Sequence, residues 1–173
     1  MTSVLHLRGP LALSPFRVER LRATLAEQGV VVQGLTAWYD HFVALSTALS
    51  IPHEARLQDL LTYGQPAEPL DQAGLQINVV PRLGTLSPWS TKATDILHHC
   101  GLPSVLRVER GTTYQMRLAN ELNAVQRETL RHHVHDPMIE TVLDSLDQAP
   151  LLFKPHAPQS LTRVDVLLSL IHI

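Results

Sequence analysis

Leu13-Ser14-Pro15-Phe16 returns as Leu86-Ser87-Pro88-Trp89, at an offset of 87 − 14 = 73 residues, and the reading of this pair decides the fold. In each copy a serine precedes a proline at the head of a helical pattern. The serine oxygen can accept an orphan backbone N–H, while proline has no N–H to lose and its fixed φ suits a first helical turn. Each helix then meets a glycine, Gly29 after the first and Gly101 after the second, at an offset of 101 − 29 = 72. Ser-Pro helix starts are common, so the tetrapeptide alone would not exclude coincidence. The shared order of elements and the nearly constant spacing argue for an internal duplication.

Outward from the first copy, Val4 to Leu7 reads as a short strand broken by Gly9-Pro10, and Phe16, Arg20, Leu21 and Leu25 recur at helical spacing to about Glu27. A strand is expected from Val30 to about Leu45 with a bend near Gly34. Pro52 then opens a helix striped by Ala55, Leu57, Leu60 and Leu61 that ends around Tyr63-Gly64. A Gly-, Pro- and polar-rich connection from Gln65 to Gly74 follows, and the order restarts. Ile77 to Val80 reads as strand, Gly84 as a break, Trp89 to Cys100 as helix, Val105 to Leu118 as a long strand, and Asn120 to about His135 as helix. Two such strand-helix-strand-helix units predict an α+β fold: one sheet with helices packed on it and pseudo-twofold symmetry, the pairing order left open. Met138 to Phe153 reads as a further helix started by Pro137, with Ile139, Val142, Leu143 and Leu146 on one stripe. Lys154 to Thr162 reads as an exposed linker. One domain is therefore expected over 1–153, and a linker with the start of another segment over 154–167.

Composition limits the function classes. The chain has 173 residues, 45% apolar and 17% charged, enough for one ordinary domain with a hydrophobic core. Its 14 basic and 16 acidic side chains build no strong field, so neither nucleic acid nor a membrane is an expected partner. Cys100, the single cysteine, excludes an internal disulfide, and the start MTSVLHLRGP lacks a secretory pattern, which reads as cytoplasmic.

Ten histidines invite a metal reading, above all His98-His99-Cys100 and His132-His133 with His135. Adjacent helical residues diverge by roughly a hundred degrees, and only His132 with His135 has the spacing of a helical ligand pair. No zinc-hydrolase Glu or Asp motif accompanies them, so they read as structural or solvated. Cys100 falls at a helix C-terminus, whose partial negative charge disfavours a thiolate. Nucleophile elbow, P-loop and dinucleotide fingerprint are all missing. No catalytic residue, cofactor-binding residue or metal ligand is assigned.

The most site-like stretch runs from Pro81 to Lys92, where a strand end, a glycine, hydroxyls, two cations and a helix N-terminus converge. Arg82, Thr85, Ser87, Ser90 and Lys92 are its candidates for an active-site-facing or interface role. Helix-start N–H groups could hold an anion there. The plainer reading, favoured on physical grounds alone, makes Ser87 a cap, Trp89 core, and Arg82 and Lys92 solvated.

These residues carry a family likeness. Pro81-Arg82, Gly84-Thr85, Ser87-Pro88-Trp89-Ser90, Lys92-Ala93-Thr94-Asp95-Ile96, Cys100-Gly101 and Arg107-Val108-Glu109-Arg110-Gly111 closely resemble the N-terminal domain of the large, single-chain phosphoribosylformylglycinamidine synthases. Leu7-Arg8-Gly9, Ala12-Leu13-Ser14, Phe16-Arg17, Leu60-Leu61, Tyr63-Gly64, His135-Asp136, Met138 and Glu140-Thr141-Val142 frame the match, which covers about 4–167. Arg8-Gly9-Pro10 departs slightly from the family's usual Arg-Gly-Ser-Pro.

The resemblance implies a PurS-like, duplicated, non-catalytic domain. Its parent enzyme converts formylglycinamide ribonucleotide to the amidine with ATP, Mg²⁺ and ammonia released from glutamine. The implied partners are the synthetase and glutaminase domains of the same parent chain, and the Arg82 to Lys92 loop is expected to face the synthetase domain or its substrate. A free-standing PurS-like small subunit is the alternative. Residues 168–173 depart from the family and read as the translation of a sequencing-adapter end, so a truncated reading frame with a non-native tail is expected.

Overall fold

The computed structural model describes residues 3–71 and 74–154. The expected linker and segment from 155 to 167, and the expected non-native tail at 168–173, lie outside the described residues. Along the chain run β1 (Ser3–Leu11), α1 (Pro15–Glu27), β2 (Val32–Leu45), α2 (Ile51–Leu61), β3 (Leu75–Pro81), α3 (Pro88–His99), β4 (Val105–Leu118), α4 (Ala124–Val134) and β5 (Glu140–Leu143). A 3₁₀ helix at Leu146–Phe153 follows.

One antiparallel sheet holds the strands in the order β1-β2-β4-β3-β5. The duplication explains its centre. β2 and β4 have 14 residues each, their starts and ends both 73 apart (105 − 32 and 118 − 45), and they pair antiparallel around Tyr39↔Thr112 and Asp40↔Gly111. A pseudo-twofold axis passes through the Tyr39↔Thr112 pair, since 112 − 39 = 73, with β1 and β3 flanking β2 and β4 as equivalents. The bend expected near Gly34 is a register shift between Val32 and Gly34.

Alternation assigns the two faces. Leu35 and Val43 share a face of β2 with no register shift between them. Leu35 packs with Leu25 of α1 and Leu130 of α4, and Val43 with Leu57 of α2 and Leu97 of α3. All four α-helices thus lie on one face, as two pairs toward opposite ends. On the other face Phe42 and Val80 bury against Leu143, Ala149 and Leu152, so the 3₁₀ helix covers that side.

Three expectations are corrected. β1 does not break at Gly9-Pro10 but continues to Leu11 through an irregularity in register. An edge strand tolerates proline because its missing N–H leaves no partner orphaned. Gly9 is needed there for contact: a Cβ would meet His41 Cε1 at 2.5 Å. α4 starts at Ala124 rather than Asn120, because Asn123 and Gln126 form a reciprocal capping box. Met138 to Phe153 is not one helix. Glu140–Leu143 adds to the open edge of β3, Ile139 is 65% exposed, and after the Ser145 cap Pro150 falls within a 3₁₀ turn. Its apolar spacing is helical, and the free edge hydrogen bonds of β3 overrode that pattern in favour of strand.

Candidate functional site

Both Ser-Pro helix starts form as expected. Ser14 Oγ accepts from Arg17 N at 3.4 Å and Ser87 Oγ accepts from Ser90 N at 3.1 Å. The surroundings of the second start are far more elaborate. Ser87 Oγ also donates to Glu109 Oε2 at 2.8 Å, and Glu109 is fully buried. Arg107 Nε donates to Glu109 Oε1 at 2.9 Å, its Nη2 makes a second close contact with the same oxygen, and Nη2 also reaches Thr85 O at 2.6 Å. A buried carboxylate held this way by a cation and a hydroxyl has its desolvation offset by charge-assisted hydrogen bonds.

The loop before α3 is a tight turn. Thr85 N donates to Arg82 O at 3.2 Å and Thr85 Oγ1 to the same oxygen at 2.6 Å, while Gly84 takes φ +79° at the third turn position. A positive φ at that position favours glycine. Arg82 N donates to Ile139 O at 2.9 Å, tying the loop to the segment before β5. Between them opens a cavity of about 460 Å³ whose lining includes Arg82, Thr85, Ser87, Trp89, Arg110 and Ile139.

The five sequence candidates separate. Arg82, Thr85 and Ser87 share this cavity. Lys92 lines a neighbouring groove of about 340 Å³ between α2 and α3, with Trp89 as the common wall. Ser90 is fully buried, and its Oγ has no hydrogen-bond partner among the described residues. Trp89 is not plain core, since it is half-buried with His41 stacked against it at 5.7 Å between ring centroids.

The structure adds His41, Tyr63 and Arg110. Tyr63 OH lies 2.9 Å from His41 Nε2 and accepts from Arg110 Nη1 at 3.2 Å. The Arg110 guanidinium carbon is 4.2 Å from the Tyr39 ring centroid and 4.7 Å from that of Trp89. Burial first, then Arg110, lowers the His41 pKa to about 4, so the ring is neutral at pH 7. Tyr63, Arg110 and Trp89 belong to the runs that carry the family resemblance, but their meeting with His41 is made by the packing of α2 and α3 on the sheet.

Four of the clustered histidines serve the backbone, while His132 Nε2 lies 3.4 Å from Glu128 Oε1. His98 Nε2 meets Val105 O at 2.6 Å, His99 Nδ1 meets Asp95 O at 2.7 Å, His133 Nδ1 meets Thr129 O at 2.8 Å, and His135 Nδ1 meets Arg131 O at 2.7 Å. Cys100 is the half-buried C-cap residue of α3. No three His, Cys, Asp or Glu side chains among the described residues are grouped to hold a metal. None of the helices among them is long and apolar enough to cross a membrane.

Residues 38–153 match the family model described as formylglycinamide ribonucleotide amidotransferase N-terminal.

Proposed function

The chain belongs to the formylglycinamide ribonucleotide amidotransferase N-terminal family, matched over more than half its length, and from that premise we propose that it acts as a non-catalytic scaffold within a phosphoribosylformylglycinamidine synthase. The parent reaction turns formylglycinamide ribonucleotide, glutamine and ATP into the amidine. In this proposal ATP and Mg²⁺ are held by the synthetase portion, and ammonia is released by the glutaminase portion. The domain over 1–153 packs on the synthetase portion in the cytoplasm, and its Arg82 to Lys92 stretch faces that portion or its substrate.

One observation carries the role given to this stretch: the turn at Arg82–Thr85 and the α3 cap are both fastened through Arg107 and Ser87 to the buried Glu109 carboxylate. A loop needing only a helix cap requires no buried ion pair behind it. Preorganisation of this kind supports a surface that must keep its shape against a partner.

The test is Arg82→Ala and Lys92→Ala at the matching positions of a full-length homologue. A fall of about tenfold in kcat/KM for formylglycinamide ribonucleotide, or about 1.4 kcal/mol, is expected for the pair of substitutions. Unchanged kinetics together with unchanged stability would reject the role. The isolated chain is expected to show no ATP hydrolysis with glutamine and substrate present, and turnover by it would overturn the non-catalytic reading.

A further inference from the structure

Arg110 stands apart among the charged groups of the described residues. It is half-buried, its guanidinium lies over Tyr39 and Trp89, and one of its five N–H donors is given to Tyr63 OH. Yet the ion pairs among the described residues give it no carboxylate. Burying a cation without a counter-charge costs stability, and here the cation lines an open cavity. Glu140 lines the same cavity, but one of its oxygens accepts Asp136 N at 2.9 Å. The lining therefore keeps two cations, Arg82 and Arg110, against one carboxylate.

The rim is apolar. Leu86 is 58% exposed, Ile139 65% and Met138 78%, all three around this one cavity. An arginine held by aromatic rings at the centre, with exposed apolar side chains around it, has the composition of an interface hot spot. A small free anion would leave that rim wet. A polypeptide covers both.

Resting on the N-terminal-domain reading above, we propose that this cavity is a socket for a segment of the parent's synthetase portion. That segment presents an Asp or Glu carboxylate to Arg110 and an apolar side chain to Leu86, Met138 and Ile139. The planar guanidinium, already oriented by Tyr39, Trp89 and Tyr63, can take a carboxylate through two parallel N–H donors. Because its orientation is set before contact, little rotamer freedom is lost on binding. His41 and Tyr63 act as positioning residues.

The experiment titrates the 173-residue chain against the synthetase–glutaminase remainder of a full-length family member, expressed without its N-terminal domain. Arg110→Gln is expected to weaken binding by about tenfold or more, and Met138→Asp by a similar factor. Arg110→Lys is expected to recover only part of the loss, because lysine restores charge without the fork. Arg131→Gln, on α4, is the control and should bind like the wild type. Circular dichroism on each variant separates lost contact from lost folding. No binding by the wild-type chain would overturn the scaffold reading and this inference with it. Wild-type binding that survives Arg110→Gln within twofold would overturn this inference alone. Saturable binding of inorganic phosphate to the isolated chain, abolished by Arg110→Gln, would give the cavity to a small anion. That result would overturn the proposal.

Discussion

The two copies of the Ser-Pro-aromatic helix start share geometry and differ in what stands behind them. Ser14 caps α1 and does nothing else among the described contacts, and the aromatic residue after its proline, Phe16, is 75% exposed. Ser87 caps α3 and is bound to Glu109, while Trp89 is stacked with His41 and Arg110. At the offset of 73, Thr36 stands where Glu109 does and Ala37 where Arg110 does. The duplicated backbone supplied two equivalent helix starts, and the side chains on β4 fastened only the second. Symmetry of fold here does not extend to symmetry of site.

Glu109→Ala should break this comparison most severely. It strands the partly exposed Arg107 and removes the anchor of Ser87, so a loss of about 3 kcal/mol is expected in urea unfolding. Thr36 Oγ1 makes only a 3.4 Å contact with Glu68 O, so Thr36→Ala should cost about 1 kcal/mol or less. Similar losses at both positions would mean that the second copy is no more tightly built than the first.

The aromatic pair comes next. Trp89→Ala should cost about 2 kcal/mol through lost stacking and burial, and the exposed Phe16→Ala less than about 0.5 kcal/mol.

His41 and Tyr114, also 73 apart, occupy equivalent places on the helix-bearing face of the sheet. Both are held neutral. Burial pushes Tyr114 up to about 12, with Glu140 and Tyr39 adding to it, and pushes His41 down to about 4. The sign for His41 follows from linkage. Its folded pKa lies below the unfolded value, so the unfolded chain binds the extra proton between about 6.5 and about 4. The His41 contribution is complete above pH 6.5 and is lost as pH falls toward 4. On the order of 2 kcal/mol should disappear between pH 7 and pH 4.5, read as the difference in pH dependence between wild type and His41→Gln. Parallel pH profiles for the two proteins would refute the neutral, buried imidazole.

The smallest effect concerns the caps. Ser14→Ala should cost about 1 kcal/mol, and Ser87→Ala roughly 0.5–1 kcal/mol more, because the Glu109 hydrogen bond is lost with the cap.

Much of the scaffold was legible in the residues. The limits of β4 follow directly from alternation, α1 and α3 from serine, proline and glycine punctuation, and the pseudo-twofold sheet from the offset. β5 was not legible, because Ile139, Val142, Leu143 and Leu146 satisfy helical spacing, and only the open edge of β3 shows which structure they adopt. The site was half legible. Arg82, Thr85 and Ser87 gather in one cavity, as their closeness in sequence suggested. His41, Tyr63 and Arg110 lie 22 and 47 residues apart and are joined only by long-range packing. Glu109 looked like one more charge in a strand, and nothing in its neighbours announces that Ser87, 22 residues earlier, would reach it.

Hydrogen exchange on the chain, alone and with the synthetase–glutaminase remainder of a full-length family member, tests the central claim most directly. Selective protection of residues 81–92 and 138–140, with 13–21 unchanged, is the expected result. Protection centred on 13–21, or equal at both helix starts, would contradict it.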